Sequence, residues 1–343
     1  MHYPNSEIHN IEEARLIEGN EGLRLQRVPE SVRAELNPKA QDRMLSPDCG
    51  EIRFVCEDGP ARITLSSAGV TETATFYGGF QKKNGGVSIG RETQTIEIHA
   101  PDLPDKLTSE YTDRMPFHPR VCRLILGRPA SSPIFLHTIE GDIRAPQPAE
   151  LPQRRLLTYG TSITHGAAAS RPYLSYAAQT AWRLGADLIN LGVGGSAYCE
   201  HAISDYIAER RDWNIGVLSL SVNMIGGGFS NNEFAERVGY MINTVAESDT
   251  SRPVFCITLY PHHRDFSDAM TDNEKRKKSS DFRDILRQTV KDCPHPNVHM
   301  VEGPDMLDDI TGLTDDLIHP SDLGMIRMGE NLARIIESTL SDR

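Results

Sequence analysis

Five residues with the chemistry of acyl transfer follow one another along the second half of the chain. Acyl transfer needs a hydroxyl nucleophile, a base, a group that orients the base, and hydrogen-bond donors for an oxyanion. The residues that could supply these parts are Ser162, Gly195, Asn223, Asp316 and His319.

Ser162 stands in a turn between Gly160 and Gly166, where its hydroxyl can face a pocket. His319 would be the base that takes its proton, because histidine is the usual proton acceptor near neutral pH. Asp316 lies three residues before His319, so its carboxylate could orient the imidazole locally. Taken alone, each residue has a commoner structural role, such as a helix-capping serine or a solvated acid.

Two further donors could join the backbone N–H of Ser162 in an oxyanion hole. One is the backbone N–H of Gly195, and the other is the side-chain amide of Asn223. Ordinary turn chemistry for the glycine, and an amide that satisfies loose backbone groups, are the alternatives. We therefore give weight to the order of the five residues and not to any one of them.

The elements that must position these residues alternate between short apolar strands and amphipathic helices after Arg155. Apolar residues three and four apart mark the helices. Two helix faces, for example, are predicted from Phe234, Val238, Met241, Ile242 and Val245, and from Leu323, Ile326, Leu332, Ile335 and Ile336. The predicted strands are Leu156–Tyr159, Leu188–Leu191, Ile215–Leu220, Pro253–Leu259 and Val298–Val301. This alternation predicts an α/β fold with a mostly parallel sheet, whose ligands bind at the carboxyl ends of the strands.

The first half of the chain is predicted to be β-rich. Short alternating runs divided by turn residues, such as 51–56 and 61–65 on either side of Glu57-Asp-Gly-Pro60, are typical of a β-sandwich or jelly roll. Residues 10–18 could form a short helix. We predict a β-sandwich domain over 1–145, a proline-rich linker over 146–153 and an α/β domain over 154–343.

The composition of the chain narrows the kinds of partner that it could bind and the cell compartment in which it could act. The net charge of −12 offers no footprint for nucleic acid or an anionic membrane, and no apolar run is long enough to span a bilayer. The first residues lack the pattern of a secretion signal, and the six cysteines have no paired spacing. Buried free thiols and a cytoplasmic location are expected. A homo-oligomer is left open.

Four blocks in the second half resemble those of the SGNH (GDSL-like) hydrolases. Tyr159-Gly-Thr-Ser-Ile-Thr resembles the first block, Asn190-Leu-Gly-Val-Gly-Gly the second, Ser221-Val-Asn-Met the third and Asp316-Leu-Ile-His-Pro the fourth. The resemblance implies the three-layer α/β/α fold of that family. It also implies Ser162 as nucleophile, His319 and Asp316 as base and acid, and Ser162, Gly195 and Asn223 as the oxyanion hole.

The blocks depart from the family pattern at three positions. Thr161 stands where the family name has Asp, and Ser221 and Met224 stand where the third block usually has Gly and Asp. The surrounding residues are similar to those of two-domain members with an N-terminal jelly roll, several of which resemble carbohydrate acetyl esterases. We therefore predict a serine esterase that removes a short acyl group, acetyl, from a sugar. The alternatives are a broad short-chain esterase or thioesterase, and an inactive carbohydrate-binding protein.

Three further residues are predicted to contact the substrate. Arg171 lies shortly after Ser162 and could bind an oxygen-rich ligand, although a solvated arginine at a helix start is the alternative. His262 and His263 follow the fourth strand and should rim the same edge of the sheet. Adjacent histidines point in different directions on an extended backbone, so we predict no metal site there. A Ser-His-Asp enzyme needs no cofactor, and none is predicted.

Overall fold

The structure is a computed structural model that describes residues 2–127, 132–220, 222–270 and 272–341. The chain divides into two compact units. The first unit comprises Met1–Arg33, Gln41–Gln153 and Gly185–Asp187, and the second comprises Ala34–Ala40, Arg154–Leu184 and Leu188–Arg343. The second unit therefore includes a short segment, 34–40, from within the predicted β-sandwich domain. The predicted linker contains a 3₁₀ turn at Pro148–Glu150.

The first unit is built almost entirely from antiparallel strands. Its strands are β1 (His2–Tyr3), β2 (Ser6–His9), β3 (Glu13–Leu16), β4 (Leu23–Gln26), β5 (Glu51–Ser67), β6 (Thr71–Tyr77), β7 (Phe80–Gln81), β8 (Val87–Ile89), β9 (Gln94–Ile98), β10 (Cys122–Ile125) and β11 (Ile134–Arg144). The early part of the chain also contains the short helices α1 (Glu30–Ala34), α2 (Pro38–Met44) and α3 (Ser109–Thr112).

Two sequence-based expectations for this unit are wrong. The helix expected within 10–18 is instead the strand β3, which pairs with β4. The turn expected at 57–60 does not end a strand, since β5 runs without a break for 17 residues. The long partner β11 bonds β5 on both sides of this point, and register shifts near Asp142 accommodate the irregular backbone.

The long strand β5 forms antiparallel ladders with four other strands. Its first residues pair with β2 on one side and β10 on the other, and its later residues pair with β9 and β11. Apolar side chains from both halves, including Phe54 and Ile63, are fully buried in one cluster with residues of β9, β10 and β11. A sheet that shares a strand in this way can enclose a core between its two parts.

A fully buried arginine, Arg53, lies at the centre of an ion-pair network in the first unit. It donates two hydrogen bonds of 2.7 Å to the carboxylate of Asp187 and one of 2.8 Å to Glu51. Burial opposes ionisation of Glu51, but Arg123 and Arg53 outweigh it and lower the pKa of this carboxyl to about 2. In the same way, Arg53 outweighs burial and holds the pKa of Asp187 well below its usual range. Both acids are therefore charged and paired at neutral pH.

The second unit alternates strands and helices as the sequence predicts. The strands are β12 (Arg154–Gly160), β13 (Ala186–Gly192), β14 (Ile215–Ser219), β15 (Val254–Ile257) and β16 (Val298–Val301). The helices are α4 (Ser162–His165), α5 (Tyr176–Arg183), α6 (His201–Glu209), α7 (Val222–Gly226), α8 (Asn231–Glu247), α9 (His263–Phe266), α10 (Asn273–Asp292), α11 (Gly303–Met306) and α12 (Asp322–Ser341). Two 3₁₀ turns occur at Pro172–Leu174 and Ile310–Gly312.

The five strands form one sheet in the order β13-β12-β14-β15-β16, and the pairs β12–β14, β14–β15 and β15–β16 are parallel. The helices form two groups, since α5 packs on α12 while α8 packs on α6 and α10. This arrangement confirms the predicted α/β class with its parallel sheet. The chain order of the strands reverses beside β12, and ligands of such sheets bind at the carboxyl ends of the strands near that point.

Helix periodicity predicted one buried face correctly and one in part. Phe234, Val238 and Met241 of α8 are fully buried, as their spacing indicated. Leu323, however, lies in the first turn of α12 and is 78% exposed, and Met325 and Met328 are buried instead. Among the described residues, no helix is long and apolar enough to span a membrane.

Candidate active site

Ser162 lies at the first position of α4, immediately after β12. Thr161 has an extended backbone and caps the helix, because its hydroxyl accepts a hydrogen bond of 3.4 Å from Ile163 N. Gly166 ends the helix in the left-handed conformation, with φ of 85°. A strand that passes directly into a one-turn helix presents this half-buried serine at the carboxyl edge of the sheet.

Gly160 permits the tight passage from β12 to α4. A Cβ at this position would overlap the Thr164 hydroxyl and lie 2.8 Å from the carbonyl oxygen of Ser219. The carbonyl of Gly160 accepts a hydrogen bond of 2.7 Å from Val193 N, in the segment after β13. The strand end that carries Ser162 is thus held by both neighbouring strand ends.

The structure brings Ser162, His319 and Asp316 into one chain of hydrogen bonds. Ser162 Oγ lies 2.8 Å from His319 Nε2, and His319 Nδ1 lies 2.6 Å from Asp316 Oδ2. An ionised carboxylate can only accept, so the Nδ1 of the imidazole carries a proton and donates a hydrogen bond to Asp316. In the neutral ring Nε2 is then unprotonated and accepts the hydrogen bond of the serine hydroxyl.

Asp316 and His319 lie on a tight loop before α12 and not on a helix. Asp316 Oδ1 accepts 2.8 Å hydrogen bonds from the backbone N–H groups of Ile318 and His319, and Thr314 Oγ1 lies 3.0 Å away. Burial opposes ionisation of Asp316, but these bonds and that from the His319 ring lower its pKa to about 2. The carboxylate is therefore charged throughout the neutral range, although its side chain is 46% exposed.

The backbone of this loop is closed by contacts at its base and tip. Leu313 and Pro320 form an isolated β-bridge, and Thr314 N donates to the carbonyl of His319 at 2.8 Å. Leu317 has a left-handed backbone, with φ of 56°, and its carbonyl accepts a 2.8 Å hydrogen bond from His263 N. Such a conformation costs a leucine about 1 kcal/mol, which the closing contacts must offset.

Three N–H donors near the ends of β12, β13 and β14 have no acceptor within the described residues. They are the backbone N–H groups of Ser162 and Gly195 and the side-chain Nδ2 of Asn223. Asn223 Oδ1 accepts a 3.1 Å hydrogen bond from Ala197 N, which fixes the orientation of the amide. Gly195 has a φ of 72°, a conformation that favours glycine. Unpaired donors are what a developing oxyanion requires.

Arg171 and His262, two of the three residues predicted to contact the substrate, have local side-chain hydrogen bonds, and the third is His263. The guanidinium of Arg171 donates to the carbonyl of Ser170 at 3.0 Å. His262 is buried and caps α9, with Nδ1 3.0 Å from the Tyr260 carbonyl. His263 is also buried, and burial lowers its pKa. Its backbone supports the Asp316–His319 loop, a role that adjacent histidines in a sequence do not reveal.

Two further predictions from the sequence concern Ser221 and a metal site. Ser221, in the third sequence block, lies outside the described residues. Within residues 2–127, 132–220, 222–270 and 272–341, no group of three or more His, Cys, Asp or Glu residues is placed to hold a metal ion.

Sequence reasoning missed Thr314 as a partner of the acid, although a hydroxyl two residues before an aspartate could have suggested it.

Fold and sequence blocks together define an SGNH hydrolase with a β-sandwich-like first part, a class that includes carbohydrate esterases. The model of the GDSL-like lipase/acylhydrolase family matches residues 153–337, and the chain belongs to this family. A comparison with curated proteins finds no match.

Three solved structures illustrate how widely the fold is shared. Salicylyl-acyltransferase SsfX3 from a tetracycline biosynthetic pathway is 14% identical with a TM-score of 0.80, covering 98% of this chain and 95% of its own. A family two carbohydrate esterase from Cellvibrio japonicus is 11% identical with a TM-score of 0.62, over 98% and 95%. Another, from Clostridium thermocellum in complex with cellohexaose, is 19% identical with a TM-score of 0.59, over 85% and 92%. At these identities the likeness shows the fold.

Proposed function

We propose that this protein is a serine esterase that hydrolyses short acyl esters, most simply acetyl groups on a carbohydrate. The observation that carries the proposal is the chain of hydrogen bonds from Ser162 Oγ through His319 to Asp316, with lengths of 2.8 and 2.6 Å. Membership of the GDSL-like lipase/acylhydrolase family supports hydrolysis of an ester.

The proposed reaction proceeds through an acyl-enzyme. Ser162 Oγ attacks the ester carbonyl carbon while His319 Nε2 takes the hydroxyl proton, and Asp316 stabilises the imidazolium that results. The carbonyl oxygen becomes negative and accepts hydrogen bonds from Ser162 N, Gly195 N and Asn223 Nδ2. His319 then gives the proton to the leaving alcohol. In the second half of the reaction His319 takes a proton from water, which attacks the acyl-enzyme, and then gives the proton to Ser162 Oγ as the acid leaves.

The fold supports a carbohydrate ester as the substrate. Family two carbohydrate esterases share the fold, and one of them was solved with cellohexaose, which supports a sugar ester as substrate. A broad short-chain esterase or thioesterase would use the same residues. We propose the acetyl sugar ester because the blocks around Ser162 and Asn223 also resemble those of carbohydrate acetyl esterases.

The test is hydrolysis of p-nitrophenyl acetate and p-nitrophenyl octanoate by the wild type and by Ser162→Ala. We expect acetate turnover that falls to background in the variant, with weaker octanoate turnover, and acetylated sugars would be assayed next. Ser170→Ala, which changes an exposed serine on the same segment, is the matched control and should retain activity. Equal, low rates in wild type and Ser162→Ala would refute the proposal and favour an inactive carbohydrate-binding protein.

Acyl transfer to an alcohol is a second candidate. The similarity to a salicylyl-acyltransferase extends over 98% of this chain, and an alcohol can replace water in the second half of the same reaction. Adding glycerol or a sugar as acceptor during turnover distinguishes the two. A new ester in the products would favour transfer, while unchanged release of free acid would favour hydrolysis.

A further inference from the structure

A short segment from early in the chain, residues 34–40, belongs to the second unit. Asn37 holds it there, because its side-chain Nδ2 donates to the Ser196 carbonyl at 3.0 Å and to Glu200 Oε1 at 2.5 Å. The backbone N–H of Asn37 also donates to Glu200 Oε1, at 3.2 Å. The segment is therefore fixed to the residue that directly follows Gly195.

Lys39, two residues after this attachment, extends over Gly195. A Cβ built on Gly195 would overlap Lys39 Nζ and lie 3.0 Å from Lys39 Cε, so the ammonium group is in contact with the glycine. A side chain at position 195 would displace the lysine from this place. The lysine is exposed, and within the described residues its ammonium has neither an ion pair nor a hydrogen bond.

The charges around Lys39 bear on what its ammonium group could bind. The chain carries a net charge of −12, so its overall field disfavours the approach of an anion. Glu200, the acid to which this segment is bonded, already accepts two hydrogen bonds from Asn37. The ammonium group of Lys39 and the unpaired N–H of Gly195 lie together, and both can donate to a negatively charged group.

We propose that Lys39 is a specificity-determining residue that binds an anionic group of the substrate close to the ester carbonyl. This inference rests on the proposed function, because it takes Gly195 as one of the donors to the carbonyl oxygen. The anionic group is a carboxylate or a chemically similar oxyanion, carried by either the acyl part or the alcohol part of the ester. The preferred substrates are then acidic esters.

Matched pairs of esters test both sources of the charge. Monomethyl succinate and its neutral isostere methyl succinamate place the anion on the acyl part. Acetoxyacetate and acetoxyacetamide place it on the alcohol part. For each pair the quantity compared is the ratio of kcat/KM for the anionic ester to that for the amide, which cancels any change common to both. Product release is followed by NMR for wild type, Lys39→Met, Lys39→Arg and the control Lys291→Met.

We expect the wild type to prefer the anionic ester in one pair, and Lys39→Met to lower that ratio about tenfold, mainly through KM. Lys39→Arg should restore most of it, and Lys291→Met, which removes an exposed charge elsewhere in the second unit, should leave it unchanged. Higher ionic strength should reduce the ratio in the wild type more than in Lys39→Met. A ratio that Lys39→Met does not change in either pair would overturn the proposal, even if both rates fall together.

Binding to Ser162→Ala separates this inference from the proposed function. We expect saturation-transfer NMR to show that Ser162→Ala binds the preferred anionic ester more tightly than its amide, and that adding Lys39→Met abolishes the difference. If that difference is found but the wild type hydrolyses no ester, the proposed function fails and the anion site stands. If hydrolysis depends on Ser162 but neither turnover nor binding depends on Lys39, the anion site fails and the esterase stands.

Discussion

Replacing Asp316 by asparagine tests how the base is oriented, because it changes one atom in the hydrogen-bond chain and almost nothing in shape. The introduced amide would keep an oxygen for the backbone N–H groups of Ile318 and His319, which Asp316 Oδ1 now accepts at 2.8 Å. Its NH₂ group would then face His319 Nδ1, now 2.6 Å from a carboxylate oxygen. Two donors cannot share that bond, so the imidazole must move its proton to Nε2. Nε2 can then no longer accept the proton of Ser162.

The size of the loss follows from the charge that is removed. A carboxylate about 4 Å from the centre of the imidazolium charge stabilises it by about 4 kcal/mol at an effective dielectric constant near 20. That energy corresponds to a fall of about 10³-fold in kcat/KM. Solvent screening reduces this electrostatic contribution because the Asp316 side chain is 46% exposed, whereas the wrong tautomer adds to the loss. We therefore expect a decrease of about 10³-fold.

The assay is kcat/KM for p-nitrophenyl acetate, with thermal unfolding of each variant as the check on folding. Asp315→Asn is the matched control, since it makes the same change at the exposed neighbouring acid and should stay close to wild type. The folded-state pKa of Asp316 lies near 2, below its unfolded value, so its stabilising effect is present at neutral pH and is lost only as the pH falls toward 2. Asp316→Asn that keeps activity within tenfold of wild type, while still folded, would refute the reasoning.

Three substitutions and a change of pH test the surroundings of the site and the first unit. Gly160→Ala should destabilise the protein by about 1–3 kcal/mol in urea unfolding, because its Cβ would lie 2.8 Å from the Ser219 carbonyl. Asn223→Ala should lower kcat by about 10²–10³-fold in the esterase assay with a small change in KM. Arg53→Met should lower the free energy of unfolding by about 3–5 kcal/mol, measured by urea unfolding at pH 7, since it removes the guanidinium that forms two hydrogen bonds with the buried carboxylate of Asp187. Glu51, with a pKa lowered to about 2, should make wild-type stability fall as the pH drops from about 4.5 toward 2, and a flat profile would contradict its pairing.

The elements of the second unit could be predicted because their signals are local. The buried face of α8 has apolar residues three and four apart, and the strands are short apolar runs. Periodicity does not say where a helix begins, however, and Leu323 was wrongly included in the buried face of α12. The continuity of β5 through residues 57–60 also could not be predicted, because the partner strand β11 and its irregular register decide it.

The sequence could predict those site residues whose order along the chain places them at the ends of neighbouring strands. It could not predict a residue that only the folded chain brings to the site. Ser162, Gly195 and Asn223 each lie within four residues of the end of a strand, and parallel strands bring their carboxyl ends together. Lys39 belongs to a segment far from all of them in the sequence, with no motif around it. Its position depends on the bonds of Asn37 to residues of the second unit, and only a structure can reveal such bonds.

Different parts of the chain position the base and the nucleophile, so substitutions in these two parts should have different effects. Asp316 and His319 are held mainly by their own loop, through bonds to Thr314 and the backbone of residues 317–319. Ser162 is held by the passage from β12 into α4. The bond of 2.8 Å between Ser162 Oγ and His319 Nε2 joins the two parts. Substitutions in the loop should therefore change the rate more than the stability, whereas substitutions at the strand end should change both.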